Sequence, residues 1–317
     1  MTTTQPSALD TARNTLCPIC QTSGEPLSSQ WPHSQCAECG HVWVDGSGPS
    51  ADNEYFESDD YAHWRTESDT LRQRQVEMAA ERIGWLGTLA DHRGRVLEFG
   101  CSTGEASAAL ADRGWTAAGL DPSAPAIEIA TERYPAVDFG VGLTPSEAGL
   151  VMARAADRPE DNSESAVDLV MAFHVLEHVP DVHGFIDLVV ESLRPGGHLY
   201  LRVPNWESWS RRLFGDRWPD NMAEHLHHFA APSMERLLVG HRFTIERMET
   251  KGQSRSWIGG VRRVVSSNWN ATETMPTTGD RSQSILKAAN TLGRPLFAVE
   301  ERWDAGSELL VLARLAD

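Results

Sequence analysis

The sequence contains no run of about 18 apolar residues, which excludes an ordinary membrane-spanning helix. Its opening, Met1-Thr2-Thr3-Thr4-Gln5-Pro6, lacks the basic and apolar regions of a secretory leader, so a cytoplasmic location is expected. Basic charge is scarce: 28 Lys and Arg stand against 45 Asp and Glu, a net of −17. Such a chain repels a polyanion, and nucleic-acid binding would need a concentrated basic patch. Cysteine is scarce as well, with five residues, and a cytosolic chain of this size needs no disulfide framework. No internal repeat is visible. What remains is ordinary for a globular protein: 317 residues, 40% hydrophobic and 23% charged. That length suits two domains or one enlarged α/β domain.

Four of the five cysteines form two pairs, Cys17-Pro18-Ile19-Cys20 and Cys36-Ala37-Glu38-Cys39. Each Cys-x-x-Cys offers two thiolates from one tight turn, and two such pairs separated by a short hairpin suit tetrahedral Zn²⁺. Four thiolates leave no open position, so the metal would be structural. The alternatives are two unrelated reduced pairs or a redox site, although a redox motif needs only one pair. His33 and His41 lie nearby and are expected at the surface or beside the ligands, not as ligands themselves. Residues 1–75 carry four arginines against eleven carboxylates, which argues against a nucleic-acid-reading ribbon. A folding clip, a dimer contact or a wall on the substrate side fits better.

Leu71, Val76, Ala79, Ile83, Leu86 and Ala90 mark roughly one face of a helix, which Gly94 ends. Beyond it, β-rich runs alternate with helical stretches, as in a parallel sheet covered by helices. Strands are predicted at 95–100, 116–121, 137–141, 167–173, 197–203, 243–249 and 308–314, the last two forming an antiparallel hairpin. The segment Asn205–Pro232 carries Trp206, Trp209, Phe214 and Trp218 and reads as a lid. Its tryptophans could wall a pocket, grip a cation or simply pack. Residues 266–284 are polar and are expected to be mobile.

The run Leu97-Glu98-Phe99-Gly100-Cys101-Ser102-Thr103-Gly104 joins a strand to a helix through small residues, where backbone N–H groups can approach a ligand. It lacks the third glycine of a dinucleotide loop. The second strand ends at Gly119-Leu120-Asp121, and an acid there can accept both ribose hydroxyls of a nucleoside; alone, it would read as a cap or turn residue. These two motifs, with Asp168-Leu169-Val170, Phe173-His174-Val175-Leu176-Glu177-His178-Val179, Leu193-Arg194-Pro195-Gly196-Gly197 and the closing Ser307-Glu308-Leu309-Leu310-Val311-Leu312-Ala313, resemble the ordered motifs of class I S-adenosylmethionine-dependent methyltransferases, of the methyltransferase-23 kind. The cysteine pairs and the Tyr55/Tyr61 region resemble members with an N-terminal zinc ribbon. There is a distant likeness to sugar C-methyltransferases, which carry a further C-terminal domain.

The resemblance implies an α/β, Rossmann-like, seven-stranded and mostly parallel sheet with helices on both faces, preceded by a small zinc ribbon. The expected organisation is a flexible 1–14, a ribbon at 15–45, a linker at 46–70 and a methyltransferase domain at 71–317. It implies S-adenosylmethionine as cofactor beside a structural Zn²⁺. Glu98 would hold the methionine amino group, Gly100 and Gly104 would admit the methionine and ribose, and Asp121 would take the ribose hydroxyls. Cys101, Ser102, Pro122, Phe173 and His174 complete the expected cofactor contacts. Ser102 departs from a common glycine, and Gly142-Leu143-Thr144-Pro145 lacks the acid that often meets adenine.

Methyl transfer needs an aligned nucleophile and, for a hydroxyl or acidic carbon, a base. His174, just past the fourth strand, is the first base candidate. Glu224 and His225, in Glu224-His225-Leu226-His227-His228-Phe229, are a second base and orienter by analogy; His227 and His228 are expected to pack the lid. The stretch 236–263 is rich in Arg and Lys, and an anionic acceptor such as a nucleotide-sugar or carrier-linked acyl group would suit it. The acceptor is expected to be a small molecule offering O, N or C, in specialised or cell-envelope metabolism. Transfer of an aminocarboxypropyl group and a non-catalytic scaffold are the alternatives. An exposed ribbon would permit a dimer.

Overall fold

The computed structural model describes residues 16–27, 32–44, 69–143, 147, 166–265 and 280–317. Residues 1–14, the Tyr55/Tyr61 region, Thr144-Pro145 and most of the 266–284 loop lie outside the described residues.

Three short strands open the described chain: β1 (Gly24–Pro26), β2 (His33–Cys36) and β3 (Val42–Val44). The main sheet holds β4 (Arg95–Phe99), β5 (Thr116–Asp121), β6 (Asp138–Val141), β7 (Val167–Phe173), β8 (Leu193–Pro204), β10 (Phe243–Lys251) and β11 (Glu308–Leu315). Between β8 and β10 lies the two-residue β9 (His227–His228). The main sheet runs β10-β11-β8-β7-β4-β5-β6. Strands β4 to β8 pair in parallel, whereas β11 inserts antiparallel between β8 and β10. The seven expected strands are all present. The last pair is antiparallel, as expected, but is not a hairpin, because the helices Ser254–Val265 and Asp280–Arg302 lie in the connection.

Strand alternation divides the core into two layers. Leu97, Phe99, Val170, Leu199 and Leu201 face the helix Val182–Ser192 through Phe185, Ile186 and Val189. Val96, Leu169, Met171 and Tyr200 face the other way, onto Ile83 of helix Asp69–Trp85 and onto Leu110 and Trp115. Chain order reverses at β4, with β5 on one side and β7 on the other. In open α/β sheets that switch point opens a crevice at the carboxyl ends of the strands.

The cysteine region does not stand alone. Its antiparallel strands continue through β3 into β9 of the lid, giving the order β1-β2-β3-β9. His33 and His41 are therefore not surface residues: they are 2% and 0% exposed. His33 Nε2 lies 3.1 Å from His228 Nε2, and His41 Nε2 lies 3.1 Å from His227 Nδ1. The lid tryptophans divide similarly. Trp206 and Trp218 are buried with Val42 of the cysteine region. The cation over Trp206 is the chain's own Arg211, 3.7 Å from the ring centroid. The helix Ala231–Gly240 starts two residues before Ser233, whose Oγ reaches back to accept from the Ala230 N–H at 3.1 Å. Among the described residues, no helix is long and apolar enough to cross a membrane.

Candidate active site

The loop after β4 makes its turn through left-handed backbone at Gly100 (φ 69°), Ser102 (φ 48°) and Gly104 (φ 87°). A Cβ on Gly104 would stand 2.6 Å from the Phe139 ring, so this position requires glycine for both conformation and space. Ser102 tolerates the left-handed turn because its N–H is held by Asp121 Oδ2 at 2.9 Å. Asp121 Oδ1 accepts from the Ser123 N–H at 2.9 Å. The cap of the following helix is Ser123, whose Oγ accepts from the Ala126 N–H. Asp121 is therefore free of the capping task, and each of its oxygens retains a second lone pair for a hydroxyl donor. Burial pushes its pKa up to about 6 against those two backbone bonds.

Glu98 is 2% exposed at the end of β4 and accepts from Ser107 Oγ at 2.6 Å. Burial pushes its pKa up to about 7, opposed by Ser107 and the Arg82 charge. A cationic ammonium placed beside this carboxylate would restore its ionised form. Cys101 turns its side chain inward, with Sγ 2.8 Å from where a Gly119 Cβ would lie. Burial raises its thiol pKa well above the ordinary value, so only its backbone is available to a ligand. Pro122 is half-buried beside Asp121, and Phe173 ends β7 with the Arg82 guanidinium 5.0 Å from its ring centroid. Arg82, which no motif marks, arrives from the helix preceding the motifs.

On the other side of the crevice a charged chain fixes His174, itself in left-handed backbone at φ 57°. Its Nδ1 lies 3.1 Å from Glu177 Oε1 and its Nε2 lies 3.1 Å from Glu308 Oε1. The Arg202 guanidinium donates to Glu308 and, at 3.3 Å, to Glu81, which Lys251 also holds. Burial alone would lower the His174 pKa, but the two carboxylates overrule it and raise it to about 9. Both ring nitrogens therefore carry protons near neutral pH. A group in that state cannot accept another proton, so His174 suits a fixed cation better than the expected base.

The expected Glu224 and His225 lie close by. Glu224 contributes its carbonyl, to which His178 Nδ1 donates at 2.9 Å. His225 Nδ1 donates to the Asp220 carbonyl at 2.7 Å. Burial, helped by the nearby His178, lowers the His225 pKa to about 3, leaving a neutral ring of little basicity. Sequence reading missed Asp220. It shares a cavity of ≈ 20 Å³ with His174, Pro204, Gln253, Arg255, Ser256, Ser307 and Glu308. Burial raises its pKa, opposed by Arg255 and His174.

The basic stretch is largely committed within the fold. Arg236 pairs with Glu38, Arg247 with Glu249 and Lys251 with Glu81, while Arg263 donates to the Trp218 carbonyl at 2.7 Å.

The four paired cysteines form one cluster: Cys17–Cys39, Cys20–Cys36 and Cys20–Cys39 sulfurs lie 3.6, 3.5 and 3.7 Å apart. Four sulfurs at about 2.3 Å from a tetrahedral Zn²⁺ lie about 3.8 Å from one another. The Ile19 N–H points at Cys17 Sγ (3.4 Å) and the Cys39 N–H at Cys36 Sγ (3.5 Å), so each turn stabilises a thiolate. The donor set fits zinc.

A family profile described as "Methyltransferase domain" matches residues 70–247. A ubiquinone biosynthesis O-methyltransferase from Cupriavidus pinatubonensis is 29% identical over 161 residues, covering 50% of this chain and 61% of that protein. The protein of the same name from a Chelativorans species is 32% identical over 111 residues, covering 35% and 40%. The chain thus spans less than two thirds of these relatives' length. Among solved structures, magnesium protoporphyrin IX methyltransferase from Synechocystis PCC 6803, with bound SAH, has a TM-score of 0.51 at 13% identity, covering 84% of this chain and 99% of that one; that likeness concerns the fold. The profile covers more than half of the chain, over a sheet with this strand order and a glycine loop ending at Gly104. The chain therefore belongs to the methyltransferase domain family.

Proposed function

We propose that the chain methylates a hydroxyl oxygen of a small molecule seated between the glycine loop and His174. The observation that carries this reading is the fixed imidazolium of His174 beside the cavity that holds Asp220. A hydroxyl acceptor has to lose a proton as it is alkylated, and the site offers a charge to orient its oxygen and a carboxylate to take its proton. The O-methyltransferase names of the matched relatives favour oxygen over nitrogen or carbon.

S-adenosylmethionine supplies a methyl group made electrophilic by its sulfonium. Glu98 takes the amino group and Asp121 the ribose hydroxyls. Gly100 and Gly104 leave the backbone open to the ligand, Ser102 and Cys101 contribute backbone alone, and Pro122 and Phe173 line the edge. His174, with both N–H groups held by carboxylates, contributes its positive charge to the acceptor side. Asp220, with a raised pKa, is the proton acceptor, and Glu224 and His225 position the lid around it rather than act as base. Cys17, Cys20, Cys36 and Cys39 hold a structural Zn²⁺ that secures the strand pairing β3–β9 and so the lid.

The test is product mass. Purified zinc-loaded protein is incubated with S-adenosylmethionine and a panel of phenolic and aliphatic alcohols, with amines as controls. The reading expects a gain of one CH₂ unit on alcohols, with retention of cofactor binding and loss of turnover in Asp220→Asn. Methylation of amines alone would overturn it.

A further inference from the structure

Beside His174, three side chains converge that take no direct part in the methyl transfer above. Glu177, His178 and His225 each bring one ligand atom to within 4.8 Å of the other two. We infer that they form a second metal site, for a divalent first-row transition ion, separate from the four thiolates.

Three independent features support it. The first is the carboxylate. Glu177 is 0% exposed; its Oε1 takes the His174 proton at 3.1 Å, but its buried Oε2 has no hydrogen-bond partner. A buried carboxylate oxygen is costly to leave unpaired, and a cation is the partner that best repairs it. His174 also locks the rotation of that carboxylate.

The second is the tautomer of the two imidazoles. His178 Nδ1 faces the Glu224 carbonyl at 2.9 Å and His225 Nδ1 faces the Asp220 carbonyl at 2.7 Å. A carbonyl only accepts, so both Nδ1 atoms carry hydrogen, and Nε2 is the nitrogen each ring would turn to an ion. A backbone carbonyl behind one ring nitrogen is the usual orienting device for a metal-bound histidine.

The third is rigidity. The ring centroids of His178 and His225 are 4.7 Å apart at 77°. The Leu226 N–H donates to the Glu177 carbonyl at 2.8 Å, and the Val44 N–H to the Leu226 carbonyl at 3.0 Å. The loop bearing His225 is thereby tied to both Glu177 and the cysteine region. Ligands about 2.1 Å from an ion lie roughly 3–3.5 Å apart, so small side-chain rotations close the set.

Two imidazoles and one carboxylate on one side of an ion select Fe²⁺, Mn²⁺, Co²⁺ or Zn²⁺ over Mg²⁺ or Ca²⁺ and leave positions open for oxygen ligands. The open positions would accept water or the acceptor's hydroxyl oxygen. The site itself does not depend on the hydroxyl-acceptor reading; only that last consequence does.

The test is Co²⁺ titration of the full-length, zinc-loaded chain, followed by absorption and by metal analysis. The inference expects one Co²⁺ bound beyond the zinc, with d–d bands and no thiolate charge-transfer band. Glu177→Gln and His225→Ala should each weaken that ion more than tenfold, as expected for loss of a ligand, while zinc content and S-adenosylhomocysteine affinity persist. Cys36→Ser should lose zinc and keep the Co²⁺ bands. Absence of a second ion in the wild-type chain overturns the inference, as does an ion that both ligand variants bind as tightly as wild type. Co²⁺ binding without methylation of any alcohol would leave the site standing and remove the acceptor reading.

Discussion

The two sides of the crevice are built differently. The cofactor side is local: β4, its loop, helix Glu105–Ala111 and the end of β5 supply Glu98, the glycines and Asp121 within a single strand–helix–strand unit. The acceptor side is assembled from afar. His174 follows β7, Arg202 lies on β8, Asp220 and His225 on the lid, and Glu308 opens β11, 134 residues beyond His174. The cysteine region supports this second side through the pairing of β3 with β9. A local site keeps its shape as long as the central sheet is folded. A dispersed one depends on every long-range connection, and that is where the chain's metal-ligating and charged side chains concentrate.

Removing zinc should separate the halves most completely. Cys36→Ser is expected to release the metal and loosen β9 and the lid, because structural zinc contributes about 10 kcal/mol or more to small sites. Turnover should collapse while S-adenosylhomocysteine affinity changes little, as read by zinc analysis, calorimetry and initial rates. Equal loss of both would show that the halves are one unit.

Asp121→Ala should do the reverse. It removes an acceptor of the Ser102 and Ser123 N–H groups as well as the ribose partner, and loss of charged hydrogen bonds costs about 1.5–3 kcal/mol, more than tenfold in cofactor affinity. Zinc content should be unaffected. Unchanged affinity by calorimetry would remove Asp121 from the cofactor site.

His174→Ala leaves Glu177 and Glu308 without their shared donor. A loss of about 1–3 kcal/mol in denaturant unfolding is expected, with a fall in turnover and near-normal cofactor affinity. Full turnover in this variant would dismiss the imidazolium.

The mildest probe is pH, and the two halves respond at opposite ends. Glu98 sits near 7 without ligand and must ionise to pair with an ammonium, so cofactor affinity should weaken below pH 7, by at most tenfold per pH unit. His174 has a folded pKa near 9, above its ordinary value of 6.5. Its stabilising contribution is complete below 6.5, declines as pH rises and is lost above about 9. Calorimetry across pH 5–8 and unfolding across pH 6–10 check the two directions. A flat cofactor profile would show that Glu98 does not pair with a cation.

The same contrast governs what the sequence revealed. The cofactor side was legible because strand, small-residue loop and helix follow one another, and the β-rich runs alternate with helical stretches. The four cysteines were legible from spacing. What was missed lies between segments: nothing local at Glu308, quoted only as part of a closing strand, shows that it holds both Arg202 and His174. His33 and His41 read as residues at the surface or beside the thiolates, and their burial was not legible because their partners are on β9, nearly two hundred residues away. His174 read as a base because histidine ordinarily titrates near neutrality; the two carboxylates that change this are visible only in the fold.

The most direct test of a cofactor side that is complete in itself is calorimetric titration of the zinc-loaded chain with S-adenosylhomocysteine. The account predicts one-to-one binding without any acceptor present, and the same affinity when the acceptor side is loosened by Cys36→Ser. A folded, zinc-loaded chain that binds no S-adenosylhomocysteine would contradict it.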